Sequence, residues 1–288
     1  MSWLVNDFSK TPGNMLKKLL DKEDILIMPG AHAPLYAILA KNAGFKSVYL
    51  SGGAFSALLG LPDIGLFTLT ELTDWARKIY RASGLPMLVD VDTGFGSEFN
   101  VARTVQDMEN AHAAAIQIED QIMPKRCGHL DGKELISKDD MVLKIRAAKS
   151  VRKDLLICAR TDANTVYGLD DAIDRANSYV AAGADIIFPE ALKTEYEFKT
   201  FAKSVDAPLL ANMTEFGKTP YYSVDQFKNW GYKIVIFPVT SLRISAHAVE
   251  ELYAELITKG TQKDIIDRMQ KRKDLYKTIE YDKYETLI

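Results

Sequence analysis

Short apolar runs alternate with amphipathic segments along almost the whole chain. The runs are apolar on both faces, which is typical of strands in a buried parallel sheet. They predict strands at residues 25–29, 48–51, 87–90, 116–119, 156–160, 186–189, 209–211 and 234–237. The segments between them have helical periodicity and predict helices at residues 34–43, 69–82, 100–111, 138–150, 169–182, 195–204, 224–230 and 242–259.

Glycine follows several predicted helices just before the next strand, at Gly44, Gly84, Gly183 and Gly231. A glycine in the left-handed conformation is the usual stop after a helix. Eight strands that alternate with helices are the number found in a (β/α)8 barrel. A doubly wound open sheet is the alternative, but no glycine-rich nucleotide-binding turn follows the first strand. We therefore predict the α/β class, as a (β/α)8 TIM-type barrel.

We expect residues 1–288 to form a single barrel domain, because no linker rich in proline, glycine or serine divides the chain. Residues 261–288 lie beyond the eighth strand–helix unit and form a charged, tyrosine-rich C-terminal extension. The pattern predicts a helix up to about Tyr276 and irregular structure after it. This extension is expected to cover the barrel mouth or to dock on a neighbouring subunit.

The composition narrows the function classes. The chain carries a net charge of −3 and has a sequence pI near 5.9, whereas nucleic-acid binders usually present a basic face. It contains no apolar stretch near the ~20 residues that span a bilayer, and its start lacks the pattern of a signal peptide. We expect neither nucleic acid nor membrane as a partner. Two cysteines form no disulfide framework, so a cytoplasmic location is the simplest.

Cys127 lies in the run Lys-Arg-Cys-Gly-His at residues 125–129. Basic neighbours favour the thiolate, so we expect a lowered thiol pKa and a role in proton transfer or nucleophilic attack. Gly128 would let the backbone approach a ligand closely. A cysteine on its own is more often a small buried apolar residue, which is our interpretation of Cys158 inside a predicted strand.

Polar residues follow the predicted strands, at the end where barrel enzymes carry their chemistry. They include Ser51, Gly52, Gly53, Asp90, Asp92, Glu119, Arg160, Glu190, Asn212, Thr214 and Arg243. Carboxylates suit a hard cation such as Mg²⁺, and arginines suit a substrate with several carboxylates. Structural interpretations remain open, since Asp92 could cap a turn and Glu119 could pair with an arginine. A structural hydrogen bond explains His32 better than a place in the pocket.

Nine motifs together resemble the isocitrate lyase / phosphoenolpyruvate mutase superfamily over nearly the whole chain. They are YLSGG (49–53), LGLPD (59–63), VDVDTGFG (89–96), FNVARTV (99–105), IEDQ (118–121), KRCGH (125–129), ARTDA (159–163), FPEA (188–191) and NMTEFG (212–217). The cysteine loop is typical of the lyases and is missing from the mutases. Phe188 and the pair Thr214-Glu215 favour the methylisocitrate lyase branch over the isocitrate lyases, which are the nearest alternative.

The resemblance implies a role for each matching position. Asp90 and Asp92 would hold Mg²⁺, with Mn²⁺ as a possible substitute, and Glu119 would reach the ion through water. Cys127 would protonate the carbanionic product, and Tyr49 would assist removal of the hydroxyl proton. The substrate would be bound by Ser51, Gly52, Gly53, Cys127, Gly128, Arg160, Glu190, Asn212, Met213, Thr214, Arg243 and Arg272.

The reaction implied by the resemblance is a metal-dependent carbon–carbon cleavage of a small tricarboxylate. It would convert 2-methylisocitrate to pyruvate and succinate, as a step of the methylcitrate cycle in propionate catabolism. The family also implies a homotetramer in which the C-terminal helix is exchanged between subunits. A non-catalytic carboxylate-binding barrel is the alternative from another class, although a pure binder has no need for a thiol acid.

Overall fold

Eight parallel strands form the centre of the computed structural model, which describes residues 11–285. They are β1 (Leu26–Pro29), β2 (Val48–Leu50), β3 (Met87–Asp90), β4 (Ala115–Glu119), β5 (Leu156–Thr161), β6 (Ile186–Pro189), β7 (Leu210–Asn212) and β8 (Ile234–Phe237). Each predicted strand is found within one residue at either end.

The strands close into a ring in sequence order. Strands β2 to β6 pair consecutively, and β1 pairs with β8, which also pairs with β7. Two parallel bridges, Gly30 to Tyr49 and Ile187 to Leu209, join these two sets. The predicted TIM-type barrel is therefore confirmed, and an open sheet is excluded.

Helices surround this ring, except the first, whose Leu16 and Leu20 join the apolar layer inside the ring. They are α1 (Pro12–Lys22), α2 (Pro34–Asn42), α3 (Gly52–Leu58), α4 (Leu69–Ser83), α5 (Glu98–Asn110), α6 (Lys138–Val151), α7 (Leu169–Ala182), α8 (Glu195–Ser204), α9 (Val224–Asn229) and α10 (Thr240–Lys259). The periodicity missed α1 and α3. Helix α3 begins with two glycines, which are poor helix formers, and it depends on Ser51, whose side chain caps its first turn.

Successive strand residues point to opposite sides of the barrel wall, so each strand contributes to two apolar layers. Val89 belongs to the layer between strands and helices, whereas Leu88 belongs to the layer inside the ring. Cys158 is fully buried in the inner layer, which confirms its interpretation as a core residue. The same alternation directs the side chains of Asp90 and Arg160 inward at the ends of β3 and β5.

The C-terminal extension differs from its prediction. After a short 3₁₀ helix at Lys263–Arg268, it forms α11 (Arg272–Thr278) and α12 (Tyr281–Glu285), so it is helical beyond Tyr276 and not continuously helical before it. Helix α11 packs against α2, and a cavity of about 830 Å³ lies between α2, α4 and α12. The extension thus lies on the outside of the barrel and does not cover its mouth. Residues 286–288 of the predicted extension lie outside the described residues.

Within residues 11–285, no helix is long and apolar enough to cross a membrane.

Candidate active site

Asp90 is one of the three predicted metal ligands, all of which are buried at the C-terminal end of the barrel. It accepts hydrogen bonds from the backbone N–H of Gly52 (3.1 Å) and of Asp92 (3.2 Å), and from Nε2 of Gln117 (3.0 Å). A Cβ on Gly52 would lie only 2.9 Å from an oxygen of Asp92, so the close approach of α3 requires a glycine here. Burial raises the pKa of Asp90 above its usual value.

Asp92 follows β3 with a positive φ of 49°, and only 4% of it is exposed. Its Oδ1 lies 3.0 Å from Nζ of Lys125, which also contacts Asp63. Burial raises the pKa of Asp92 to about 7, against the opposing charge of Lys125. Lys125 therefore pairs with the carboxylates of Asp63 and Asp92, whereas the sequence predicts that its charge lowers the pKa of the neighbouring thiol.

Arg160 links the third carboxylate to the rest of the site. Its Nη1 lies 3.0 Å from Oε2 of Glu119, and its Nε donates to Asp162 at 2.9 Å. Glu119 is fully buried, and its Oε1 has no hydrogen-bond partner within residues 11–285. Burial raises the pKa of Glu119 well above its usual value. One oxygen of Glu119 thus pairs with an arginine, the other is available to a ligand, and a contact with a metal ion through water stays a prediction.

Cys127 is half-buried in the loop after β4. The expected lowering of its pKa is wrong, because burial raises the pKa of the thiol and outweighs a hydrogen bond from the backbone N–H of His129. The basic neighbours do not act on the sulfur as expected, since Lys125 binds carboxylates and Arg126 is exposed. The thiol is therefore protonated at neutral pH, as a proton donor must be.

Gly128 brings the cysteine loop against the barrel. A Cβ at this position would overlap with Glu190 and would lie 2.5 Å from Nη2 of Arg160, so only glycine fits. Glu190 follows β6 and lies 3.4 Å from Nε2 of His129, while Asn212 donates to it at 3.3 Å. The predicted residues Gly128, Arg160, Glu190 and Asn212 thus meet at one place.

Tyr49 is buried in the apolar layer inside the ring of strands. Its hydroxyl donates to Oε1 of Gln117 at 2.6 Å, and Gln117 in turn donates to Asp90. Burial raises the pKa of Tyr49 well above its usual value, so the hydroxyl stays protonated. In this placement the Tyr49 hydroxyl orients Gln117, which in turn binds Asp90, and the part of Tyr49 in removal of a substrate proton stays a prediction.

Several predicted substrate residues lie at the edge of the site. Ser51 and Thr214 are buried, and Gly53 packs beside Asp63. Met213 does not face the site, because its side chain packs in the layer between strands and helices and its sulfur accepts from the N–H of Tyr222. A contact between this residue and substrate would have to use its backbone.

Arg243 and Arg272 lie apart from the cluster of predicted site residues around Arg160. Arg243 is partly exposed at the start of α10, where it donates to the backbone oxygen of Glu215 at 2.9 Å. Arg272 is exposed at the start of α11. The structure therefore places Arg243 at the rim of the site, and it does not bring Arg272 to the site within this chain.

The sequence analysis missed three residues that bind the side chains of the site, and its structural interpretation of His32 is supported. Asp63, Gln117 and Lys133 are the missed residues. The position of Gln117 inside an apolar strand was a usable signal, because a buried amide needs a partner. His32 makes a structural contact to Ser241 at 3.1 Å, and burial lowers its pKa to about 4.

In barrel enzymes the catalytic residues gather at this end of the strands, where this chain holds its acidic, cationic and thiol groups. Residues 16–257 match the family model described as phosphoenolpyruvate phosphomutase, and the chain belongs to this family. Its relatives include the 2-methylisocitrate lyase of Aeropyrum pernix, at 55% identity over 99% of this chain and 92% of the relative. The 2-methylisocitrate lyase of Halalkalibacterium halodurans is 52% identical over 100% and 96% of the two chains. With such relatives, the chain is a carbon–carbon lyase.

Solved structures show the same fold. A 2,3-dimethylmalate lyase superposes with a TM-score of 0.91 and 32% identity, over 96% of this chain and 94% of that one. A phosphonopyruvate hydrolase in complex with oxalate and Mg²⁺ superposes with a TM-score of 0.87 and 28% identity, over 96% and 98% of the two chains.

The raised thiol pKa predicts slow alkylation of Cys127 at neutral pH. Because only the thiolate reacts, the rate with iodoacetamide should still be rising well above pH ~8.5, the pKa of a free cysteine. Mass spectrometry of the two cysteine peptides would follow the reaction, with the fully buried Cys158 as an internal control that reacts only after unfolding. A midpoint below about 8.5, the value of a free cysteine, would contradict this assignment.

Proposed function

We propose that this lyase cleaves 2-methylisocitrate to pyruvate and succinate with the help of Mg²⁺, in the methylcitrate cycle of propionate catabolism. The observation that carries the proposal is a protonated thiol, Cys127, held beside the Arg160 cluster at the barrel mouth. The relatives named above are 2-methylisocitrate lyases, and their similarity to this chain extends over nearly their whole length. A non-catalytic binder has no use for such an acid.

A divalent cation fits the charge of the site. The carboxyl groups outnumber the cationic groups: Asp63, Asp90, Asp92, Glu119, Asp162 and Glu190 face Lys125, Lys133 and Arg160. The oxygen Oε1 of Glu119 also lacks a donor within the described residues. An anionic substrate would be repelled from this site unless further positive charge joined it.

The proposed ligands are Asp90 and Asp92, with Glu119 acting through water. Between residues 11 and 285, no three His, Cys, Asp or Glu side chains form a ready-made metal cluster. Two direct carboxylate ligands suit Mg²⁺, because this ion commonly binds one or two carboxylates and keeps several waters. Mn²⁺ could replace it. The bound cation would supply Lewis acidity at the C2 hydroxyl and carboxylate of the substrate.

The residues of the chain prepare the cleavage by fixing the reacting groups. Gly52 and Gln117 orient the carboxylate of Asp90 through the hydrogen bonds described above, and Tyr49 holds Gln117 in turn. The guanidinium of Arg160, which is buried with its partners, is placed to bind a substrate carboxylate. We propose that Arg243 closes the rim of the site around the substrate.

Protonation of the product is the proposed task of Cys127. The C2 hydroxyl loses its proton, which passes to solvent with the assistance proposed for Tyr49, and the C2–O bond becomes the carbonyl of pyruvate as the C2–C3 bond breaks. The electron pair of that bond remains on C3, where it is delocalised into the adjacent carboxylate of the succinate fragment. The Cys127 Sγ–H then donates its proton to C3, and the thiolate that remains is stabilised by the N–H of His129 and by the charge of Arg160. The raised pKa keeps the Cys127 thiol protonated at neutral pH.

Recognition of the methyl group is assigned to Phe188 and Thr214. Phe188 is buried inside the barrel, and its ring lies 5.4 Å from the guanidinium carbon of Arg160. A methyl group in an apolar pocket provides only about 1–3 kcal/mol of discrimination. Residual cleavage of isocitrate is therefore expected beside the main reaction.

We also propose a homotetramer of single-domain subunits, 1–288, that exchange their C-terminal helical region, in the cytoplasm. Support comes from α10, in which no residue of Thr240–Lys259 is buried although it exposes Ile244, Val249, Tyr253, Leu256 and Ile257. An apolar surface of this length normally packs against something. A second copy of the chain is the proposed partner, and the exposed Arg272 would reach a site in the assembly.

The product assay is the direct test of the function. The purified protein is incubated with Mg²⁺ and either 2-methylisocitrate or isocitrate, and pyruvate and glyoxylate are measured. We expect mainly pyruvate from 2-methylisocitrate, and loss of turnover when EDTA removes the metal. Glyoxylate from isocitrate as the dominant product would instead assign isocitrate lyase activity, and turnover unaffected by EDTA would remove the metal from the proposal.

Replacement of Cys127 by serine should separate binding from chemistry. A hydroxyl is a far weaker acid than a thiol, so kcat is expected to fall by about 10²–10⁴-fold while KM changes little. Steady-state kinetics would measure both constants, with Cys158→Ala as the matched control because that cysteine lies in the core. Unchanged kcat in Cys127→Ser would remove Cys127 from the mechanism.

The oligomeric state tests the role of α10. Light scattering should give a mass about four times the 32.2 kDa of the chain. The variant Ile257→Asp, which puts a charge on the apolar surface, should lower the mass, whereas Glu250→Gln on the same helix should not. A monomeric native protein would refute the proposed exchange.

A further inference from the structure

His129 connects the cysteine loop to the β7–α9 loop, residues 213–223. Its Nδ1 accepts a hydrogen bond from the backbone N–H of Lys218 at 2.9 Å. A Cβ on Gly217 would lie 2.7 Å from the same nitrogen, so the imidazole packs directly against the backbone of the β7–α9 loop. Only 8% of the His129 side chain is exposed. The two loops therefore meet through a buried ring whose Nδ1 is the point of contact.

The contacts of the imidazole assign its two nitrogens. A nitrogen that accepts from an N–H carries no proton, so the proton of the neutral ring is on Nε2. Nε2 lies 3.4 Å from Oε1 of Glu190, which can accept from it. His129 thus has a loop backbone on Nδ1 and a carboxylate on Nε2, and a suitable substitution can remove either contact separately.

The segment beneath the imidazole also holds Arg243. Nη1 of Arg243 donates to the backbone oxygen of Glu215 at 2.9 Å, and its guanidinium carbon lies 5.1 Å from the centre of the Phe216 ring. These two partners come directly before Gly217 in the chain. Positions 215–218 therefore bind the cysteine loop on one side and the rim arginine on the other.

We propose that His129 is a positioning residue that couples the two loops, so that Cys127 and Arg243 reach the substrate together. Loops move more readily than the strands that they connect. A substrate carboxylate bound by Arg243 would favour the arrangement in which the β7–α9 loop meets His129. The same arrangement places the Cys127 thiol at the site, so binding of the substrate promotes the closure that protonation of the product requires.

A second contact between the loops is the ion pair of Lys218 with Asp131, and it does not explain the coupling. The Asp131 side chain is 94% exposed, and exposed ion pairs contribute little to stability because water and salt screen them. The backbone N–H of the same lysine is by contrast bound to a buried acceptor. The charge and the N–H of Lys218 can therefore be tested independently.

Hydrogen exchange followed by mass spectrometry tests the coupling in the full-length protein without substrate. The side-chain oxygen of asparagine stands where Nδ1 stands in histidine, whereas the side-chain nitrogen of glutamine stands where Nε2 stands. His129→Gln should therefore lose the contact to Lys218 and speed exchange of the peptide that contains this lysine by about three- to tenfold. His129→Asn keeps an acceptor and should change the exchange less. The reverse order would assign the role of His129 to its contact with Glu190 and would overturn the inference.

Gly217→Ala tests the same contact from the other loop and covers the case in which His129→Gln does not fold. The φ of Gly217 is not positive, so the backbone accepts alanine, but the added Cβ displaces the imidazole. Exchange should rise in the peptide that contains Cys127, although the substitution lies in the β7–α9 loop. Unchanged exchange of that peptide would overturn the inference.

Lys218→Met is the matched control, because it removes the ion pair with Asp131 and keeps the backbone N–H that binds His129. Its exchange should match that of the native protein in both loops. An effect as large as that of His129→Gln would assign the coupling to the ion pair and overturn the inference.

The kinetic consequence rests on the proposed function, whereas hydrogen exchange does not. In the lyase assay, His129→Gln should lower kcat and raise KM together, because the acid and Arg243 are both displaced, and His129→Asn should lie closer to the native protein in both constants. A fall in kcat without a rise in KM would overturn the link to Arg243. If the exchange pattern is as expected but no lyase activity is found, the proposed function fails and the coupling stands.

Discussion

The buried guanidinium of Arg160 is the group on which the rest of the site depends. It lies within ion-pair distance of Glu119, Asp162 and Glu190, each contributed by a different strand end or loop. Removing one partner of a buried ion pair typically costs about 3–5 kcal/mol, because the remaining charge keeps its desolvation penalty. These side chains are therefore held in register by electrostatics, and the ring of strands supplies the positions at which they meet.

Burial raises the pKa of both the thiol and the carboxyl groups of this site, but with different consequences. It raises the pKa of Cys127, which keeps a proton available for transfer, and it raises the pKa of Asp92 and Glu119. Carboxylates that are costly to ionise without a counter-charge gain most from a cation. The same low-dielectric environment thus favours both a protonated thiol and a bound divalent cation.

The fold and the inner site residues were accessible from the sequence because both follow from local patterns. The apolar runs predicted every strand within one residue, and the polar residues at the strand ends, Asp90 and Glu119 among them, indicated the mouth of the barrel. Partners that are distant in sequence were not accessible. Nothing local shows that Lys125 binds Asp92, and the error in the thiol pKa came from treating sequence neighbours as spatial neighbours. The placement of the C-terminal helices likewise depends on tertiary contacts with α2.

Cys127, the proposed acid, lies on a loop rather than on a strand, and the packing of that loop explains how its position can still be fixed. Strand ends hold the carboxylates and Arg160, so a group that must approach substrate from above has to come from a connection. Gly128 lets the loop press against Arg160 and Glu190, and Lys133 fastens its carbonyl to Asp162. The arginine that orders the barrel mouth therefore also positions the loop, and the position of the thiol depends on the same ion pairs as the substrate site.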